Sequence, residues 1–478
     1  MEQRKLNRRD FLRLSAVAAA GAVVAACAPA TPQIIEVEKE VPIEKEVVKE
    51  VPVEKVVEVE KLVEVTPKPV ERVRLRFMER AHSQTALMSY PQIVDDYFET
   101  AHPEIQVDVE PAPEGWETKL VAAMIAGDAQ DVFQAWPDIF YEWTERDLIL
   151  DIQPYVDQNL TQEEINDYIE AQWTALVIRG IRVGMPKYID MRLENINLDL
   201  FDEFGVEYPP KDGEWDYLDF EEMAAKLTRD RDGDGKIDTW GAHLETGGWF
   251  YWPRMFGGDI VNPDDNTDCL LDSPGSQDCF NWIYQNQWVR EPNIFAQPAQ
   301  VDNQWFYEAW VPELVVIAEK GLYPAQNVEK IQGKFRWDYR EPPKGPVRRC
   351  SLGDADAYSI WKGTKHPEAA WELIYFLSGP IFQQKGTLEA EGTVPIRKSL
   401  MPVMIKTFRE GWPEMKDVYL EVIPQMVDHG YLENVHWFKN QAEAMEIINP
   451  AMEAVFGVGE KDPSYFKEIC AQVEATQK

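Results

Sequence analysis

Gly180-Ile-Arg-Val-Gly-Met-Pro-Lys-Tyr-Ile-Asp-Met-Arg-Leu-Glu-Asn-Ile-Asn-Leu-Asp-Leu-Phe201 is the stretch whose reading decides the fold. It reads as a strand, a polar loop, a second strand and the start of a helix. Pro186 has no amide hydrogen to give, so the chain either bends there or runs along a sheet edge. Lys187, Tyr188 and Asp190 follow at once. They place polar and aromatic groups at a crossing between two α/β regions, the kind of place where ligands bind.

Working outward towards the N-terminus, residues 73–77 alternate as a strand and 86–99 have helical period. Residues 105–109 alternate again, 116–126 are helical and 131–135 form a short strand. This β-α-β-α-β order predicts a mainly parallel sheet covered by helices on both faces, with ligands at the carboxyl ends of its strands. Glu114, Trp116, Trp136 and Asp138 fall just beyond those ends.

The 478 residues, 45% hydrophobic and 12% aromatic, suffice for two domains with real cores. A formal net charge of −36 argues against nucleic acid, which needs concentrated Lys and Arg, and disfavours a strongly anionic ligand. At the N-terminus, Arg4, Lys5, Arg8, Arg9 and Arg13 precede a short Ala-rich apolar run over 14–26. That pattern is an export signal, too short for a membrane span. Asn7-Arg8-Arg9-Asp10-Phe11-Leu12 resembles a twin-arginine signal, with Asn7 where Ser or Thr is usual. Val24-Ala25-Ala26-Cys27 resembles a lipobox, which implies cleavage after residue 26 and acylation of Cys27 as an anchor on the outer face of the cell membrane. Residues 27–70 change to Val, Glu, Lys and Pro with a ten-residue echo, Val41-Pro42-Ile43-Glu44-Lys45 and Val51-Pro52-Val53-Glu54-Lys55. They read as a tether, which if extended reaches about 100 Å from the membrane.

Glu114-Gly-Trp-Glu-Thr-Lys-Leu-Val-Ala-Ala-Met-Ile-Ala-Gly-Asp-Ala-Gln-Asp-Val-Phe133 resembles the helix-and-strand signature of the maltose-type (family 1) extracellular solute-binding proteins of ATP-driven importers. Gly257-Gly258-Asp259, Leu271-Asp-Ser-Pro274, Phe335-Arg-Trp-Asp338, the run 363–377 and Gly392-Thr-Val-Pro-Ile-Arg-Lys-Ser399 match in the same order. The resemblance covers residues 71–478 and implies a two-lobe, type II periplasmic-binding-protein-like α/β fold. The ligand cleft then lies between the lobes at three hinge crossings. Lobe 1 is expected at 71–189 plus 347–393 and lobe 2 at 190–346 plus 394–478. The implied function is binding of a sugar or oligosaccharide by hinge closure, and its delivery to an ABC permease by a monomeric, lipid-anchored, non-enzymatic protein. A surface glycoside hydrolase using two carboxylates such as Asp138 and Asp190 is the other class.

By the same resemblance, Trp136 stacks on a sugar ring and Asp138 accepts hydroxyl hydrogen bonds, while Asp190 and Asn197 match further family positions. A core tryptophan and an N-cap aspartate would read the same way. In the second lobe, Trp249 and Trp252 stand one helical turn apart and Arg254 is placed to clamp a polar group. Tyr323 stands where many relatives have Trp, and Asp354 and Asp356 make the 353–358 run more acidic than is usual, which suits a more polar or partly cationic ligand.

Asp230, Asp232, Asp234, Lys236 and Asp238 occupy positions one, three, five, seven and nine of an EF-hand-like calcium loop, with Gly235 at six. Position twelve is Gly241 rather than Glu, so a further ligand has to come from elsewhere, Glu245 being one choice; a polar turn has the same composition. With Cys27 assigned to lipid, Cys269, Cys279, Cys350 and Cys470 remain in an oxidising compartment, and a Cys269–Cys279 bridge is expected.

Overall fold

The computed structural model describes residues 72–80, 83–244, 251–301, 306–353 and 356–478. The tether, the export signal, Cys27, Trp249 and Asp354 lie outside these residues. Strand β1 (Val73–Glu79) alternates as predicted: Leu75 and Phe77 enter one core and Met78 enters another on the opposite face. The helix predicted over 86–99 begins at Gln84, where the Ser83 hydroxyl accepts the Ala86 amide at 3.1 Å, and continues through Val94–Glu99. Strands β2 (Ile105–Pro111) and β3 (Val132–Ala135) both run parallel to β1 and flank it. The helix Trp116–Ala126 lies between them in the chain.

The stretch 180–201 contains β4 (Met185–Pro186), β5 (Arg192–Asn197) and the start of the helix Leu198–Phe204. Asn197 caps that helix by accepting the amides of Asp199 and Leu200, both at 3.1 Å. Strands β6 (Trp240–His243), β7 (Val315–Gly321), β8 (Trp337–Arg340) and β9 (Ala357–Ile360) follow. The first sheet has the order β2-β1-β3-β9-β4, with β9 antiparallel to both neighbours. The second has the order β8-β5-β7-β6. Pro186 therefore sits on an edge strand, where its missing donor costs no ladder bond. Gly184 is required just before it, because a Cβ there would stand 2.5 Å from the Tyr358 carbonyl oxygen.

The chain passes from the first sheet to the second between β4 and β5, and returns between β8 and β9. This is the two-lobe α/β architecture expected from the sequence. Among the described residues no helix is long and apolar enough to cross a membrane.

The disulfide corrects an expectation. Cys269 bonds Cys470 on the C-terminal helix Phe466–Thr476, 201 residues away, and not Cys279. Cys279 is a free, buried thiol on the helix Pro274–Tyr284, packed in the same core as Phe280 and Ile283. Proximity in sequence pointed to Cys279, but the helix turns that side chain into the core.

Candidate ligand-binding site

Four strand ends meet at one place. Arg80 follows β1, Trp136 follows β3, and Lys187 and Tyr188 follow β4. Asp356 stands just before β9, which pairs antiparallel with β3 and so begins where β3 finishes. Asp356 is the hub of the cluster. Its carboxylate accepts from the Arg80 guanidinium at 2.6 Å, the Gln134 amide at 2.8 Å and the Tyr188 hydroxyl at 2.9 Å. Burial works against the charge on Arg80, but the adjacent Asp356 carboxylate outweighs it and holds the guanidinium above its ordinary pKa. Burial first, and then Asp356, push the Tyr188 hydroxyl well above its ordinary range, so it stays a neutral donor.

Trp136 is half-buried, with the guanidinium carbon of Arg80 4.4 Å from its ring centroid. Trp116 packs edge-on behind it at 5.3 Å and also meets Trp143 at 6.2 Å. Glu114 is exposed at the rim, its carbonyl taking the Lys119 ammonium at 2.7 Å. Asp138 lies in the first turn of the helix Pro137–Glu145, for which Trp136 is the N-cap residue. From the second sheet, Asp190 and Tyr323 come to the same crossing. Both approach Gly321 so closely that a Cβ there would stand 3.0 Å from each side chain, which explains glycine at the end of β7.

Lys187 has another place. It is completely buried, with its ammonium 3.1 Å from Glu79, 3.2 Å from Glu391 and 2.8 Å from the Gln134 amide oxygen. The alternation of β1 places Glu79 on the Leu75 and Phe77 face, directed at this position. Burial opposes the lysine's charge, but Glu391 and Glu79 raise its pKa. Burial also pushes Glu79 up to about 7. Lys187 thus ties the crossing to β1 rather than presenting its charge to solvent.

Trp252 and Arg254, expected to face the cleft, are both about 1% exposed. The Trp252 indole donates to Glu319 at 2.6 Å and its rings pack with Trp282 and Phe220. Arg254 pairs with Asp259 at 3.0 Å and meets the His436 ring at 3.1 Å. The flanking aromatic density belongs to the second core.

Residues not singled out from sequence also belong to the site. Arg80 and Gln134 hold Asp356, and Glu391 completes the pocket around Lys187. The rule that ligands lie at strand carboxyl ends, applied to β1 as it was to β3, would have found Arg80. No local signal marks Glu391.

In the Asp230–Asp238 loop, Asp230, Asp232 and Asp238 each offer a carboxylate oxygen within 4.8 Å of the others. Asp230 accepts the amides of Gly233 and Gly235 at 2.7 and 2.8 Å, and Asp238 accepts those of Arg231 and Asp232. Asp234 lies outside this triple; its carboxylate accepts the Lys236 amide at 2.8 Å and lies 3.7 Å from the Lys236 ammonium.

Two sheets joined by crossings, with an aromatic and charged cluster at the strand ends, define a two-lobe binding protein. The family described as bacterial extracellular solute-binding protein matches residues 81–384, and the chain belongs to it. A binding protein of Brucella abortus (strain 2308) is 22% identical over 405 residues, covering 81% of this chain and 90% of its own. Among solved structures, the ABC substrate-binding protein of Listeria monocytogenes in complex with cycloalternan superposes with a TM-score of 0.70 at 20% identity, covering 85% of this chain and 99% of that one. The sugar-binding protein MalE from Xanthomonas citri gives a TM-score of 0.65 at 19% identity, covering 84% and 97%.

Proposed function

We propose that the protein captures a sugar or oligosaccharide at the crossing between its sheets and delivers it to an ABC permease, held at the outer face of the membrane through acylated Cys27. The reading rests on one observation above all. Trp136 offers a half-buried aromatic face beside a carboxylate, Asp356, whose donors Arg80 and Tyr188 are already fixed. An aromatic face matches the apolar side of a pyranose, and orienting polar groups beside it match hydroxyls. The cycloalternan bound to the Listeria protein and the sugar-binding designation of the Xanthomonas protein support the same class.

Calorimetry with a panel of neutral, amino and acidic oligosaccharides tests this. Saturable binding without product release is expected, weakened at least about tenfold, or ~1.4 kcal/mol, in Trp136→Ala. Binding unaffected by that substitution, or turnover of the sugar, would overturn the reading. In the same proposal the Asp230–Asp238 loop takes a structural calcium, supported by its ligand spacing and its three convergent carboxylates. A melting curve unchanged by chelator removes that part.

A further inference from the structure

Residues 434–439 touch both lobes. Val435 and Phe438 are buried in the second core, and Trp437 packs against that core and also against the core on the Met78 face of the first sheet. Arg254 anchors the run on the side of the second lobe. Its buried guanidinium donates to the Asn434 carbonyl at 2.5 Å and lies 3.1 Å from the His436 ring, which itself meets Asp259 at 2.9 Å. The Lys439 amide adds a bond to the Asn266 carbonyl at 2.9 Å.

The other side of the run meets the first lobe. The Asn434 side chain lies 2.9 Å from the Thr174 hydroxyl on the helix Glu170–Ala175. The Trp437 ring stands 6.3 Å from that of Tyr141, on the helix Pro137–Glu145 that begins at Trp136. Arg179 completes the contact. Its guanidinium carbon lies 4.3 Å from the Tyr141 ring centroid and one of its nitrogens donates to the Lys439 carbonyl at 2.7 Å, with Glu145 at 3.5 Å. Arg179 and Gly180 are the two turn residues between Val177–Ile178 and Ile181–Arg182, and their φ angles are +50° and +83°. Turns of this hand favour asparagine and glycine, so arginine is not there for the sake of the backbone; what it adds is reach across to the second lobe.

We propose that residues 434–439 are a latch between the lobes: held in the second lobe by Arg254 and Asp259, they fasten the first lobe through Trp437 on Tyr141 and through Arg179 on the Lys439 carbonyl. A contact made only while the lobes are together stabilises that arrangement by its own free energy. Part of the closed state is therefore supplied by the chain itself before any ligand arrives, and a ligand meets a larger fraction of binding-competent protein. The latch also gives Arg254 a role, since the guanidinium grips the run that carries Trp437.

The test uses the full chain without ligand, so its outcome does not depend on what the cleft binds. Tryptophan is replaced by fluorotryptophan, and the fluorine signals of Trp437 and Trp136 are identified by their loss in Trp437→Phe and Trp136→Phe. The exposure of each is read from the difference in its shift between light and heavy water. Trp437 reports the latch, whereas Trp136, at the ligand crossing, reports opening of the lobes and not merely the loss of a neighbour. Arg179→Asn is the decisive variant, because asparagine suits the left-handed turn and keeps the hairpin but is too short to hold the Lys439 carbonyl. It is expected to raise the open-to-closed ratio about fivefold, the size of one exposed cation–aromatic contact with one hydrogen bond, and to move both signals towards solvent. If either signal keeps its wild-type exposure in Arg179→Asn, the latch is overturned.

Discussion

Glu79 and Glu391 flank Lys187 beside the first sheet, whereas Glu194 and Glu319 face each other beside the second with an indole N–H on one of them. Both are pairs of buried acids: Glu79 ends β1 and Glu391 ends the helical segment Gln383–Glu391, whereas Glu194 and Glu319 lie within β5 and β7. In the first, the countercharge comes from the crossing segment itself and costs desolvation of three ions. In the second, the acids are direct cross-strand partners, and the Trp252 indole donates to Glu319 at 2.6 Å. The first pair is therefore a joint, because it grips the segment that passes between the sheets, whereas the second lies within one sheet.

The comparison can be broken most sharply at Lys187. Lys187→Met leaves two carboxylates without their cation and is expected to cost about 3–5 kcal/mol in urea unfolding. Adding Glu79→Gln and Glu391→Gln to it should recover most of that loss. A control that touches neither pair comes next: Cys470→Ser opens the link to Cys269 and is expected to cost about 2–4 kcal/mol while leaving the pH dependence of melting unchanged. Smaller still is Glu79→Gln. Because burial raises Glu79 to about 7, its contribution is present below 4.5 and falls as pH rises through 7. The variant should therefore flatten the decline between those values, read as melting temperature against pH. Last is Tyr251→Phe, which deletes a buried hydroxyl without a partner and should change stability by less than about 1 kcal/mol in either direction.

The parallel strands β1 to β3 and the helices between them were legible because they are written locally. Residues 73–77 alternate, 86–99 and 116–126 keep helical period, and Pro186 left a bend or a sheet edge, of which the structure has the edge. The site was legible only where it shares that local grammar. Trp136 and Tyr188 follow strands and could be placed, but Asp356 meets Arg80 across 276 positions and Glu391 meets Lys187 across 204. Nothing in spacing reports such pairings. Trp252 and Arg254 show the converse. Their dense aromatic neighbourhood suits a cleft and a core equally, and the partners that settle it, Glu319 and His436, are far along the chain. Cys470 escaped for the same reason, since the pairing that closes 201 residues looks no different in sequence from one that closes ten.

The position of β9 constrains the order in which the molecule assembles. It lies between β3 and β4, yet it is made about 170 residues after β4 has left the ribosome. Until residue 360 is available, β3 and β4 present unpaired edges towards each other with a gap one strand wide. The first sheet is thus the earlier to begin and the later to close, while the second is complete once Trp337–Arg340 pairs with β5. Chains cut between residues 345 and 356 should keep the second sheet's pairing and be prone to associate through the open gap in the first, which sedimentation of such truncations would register.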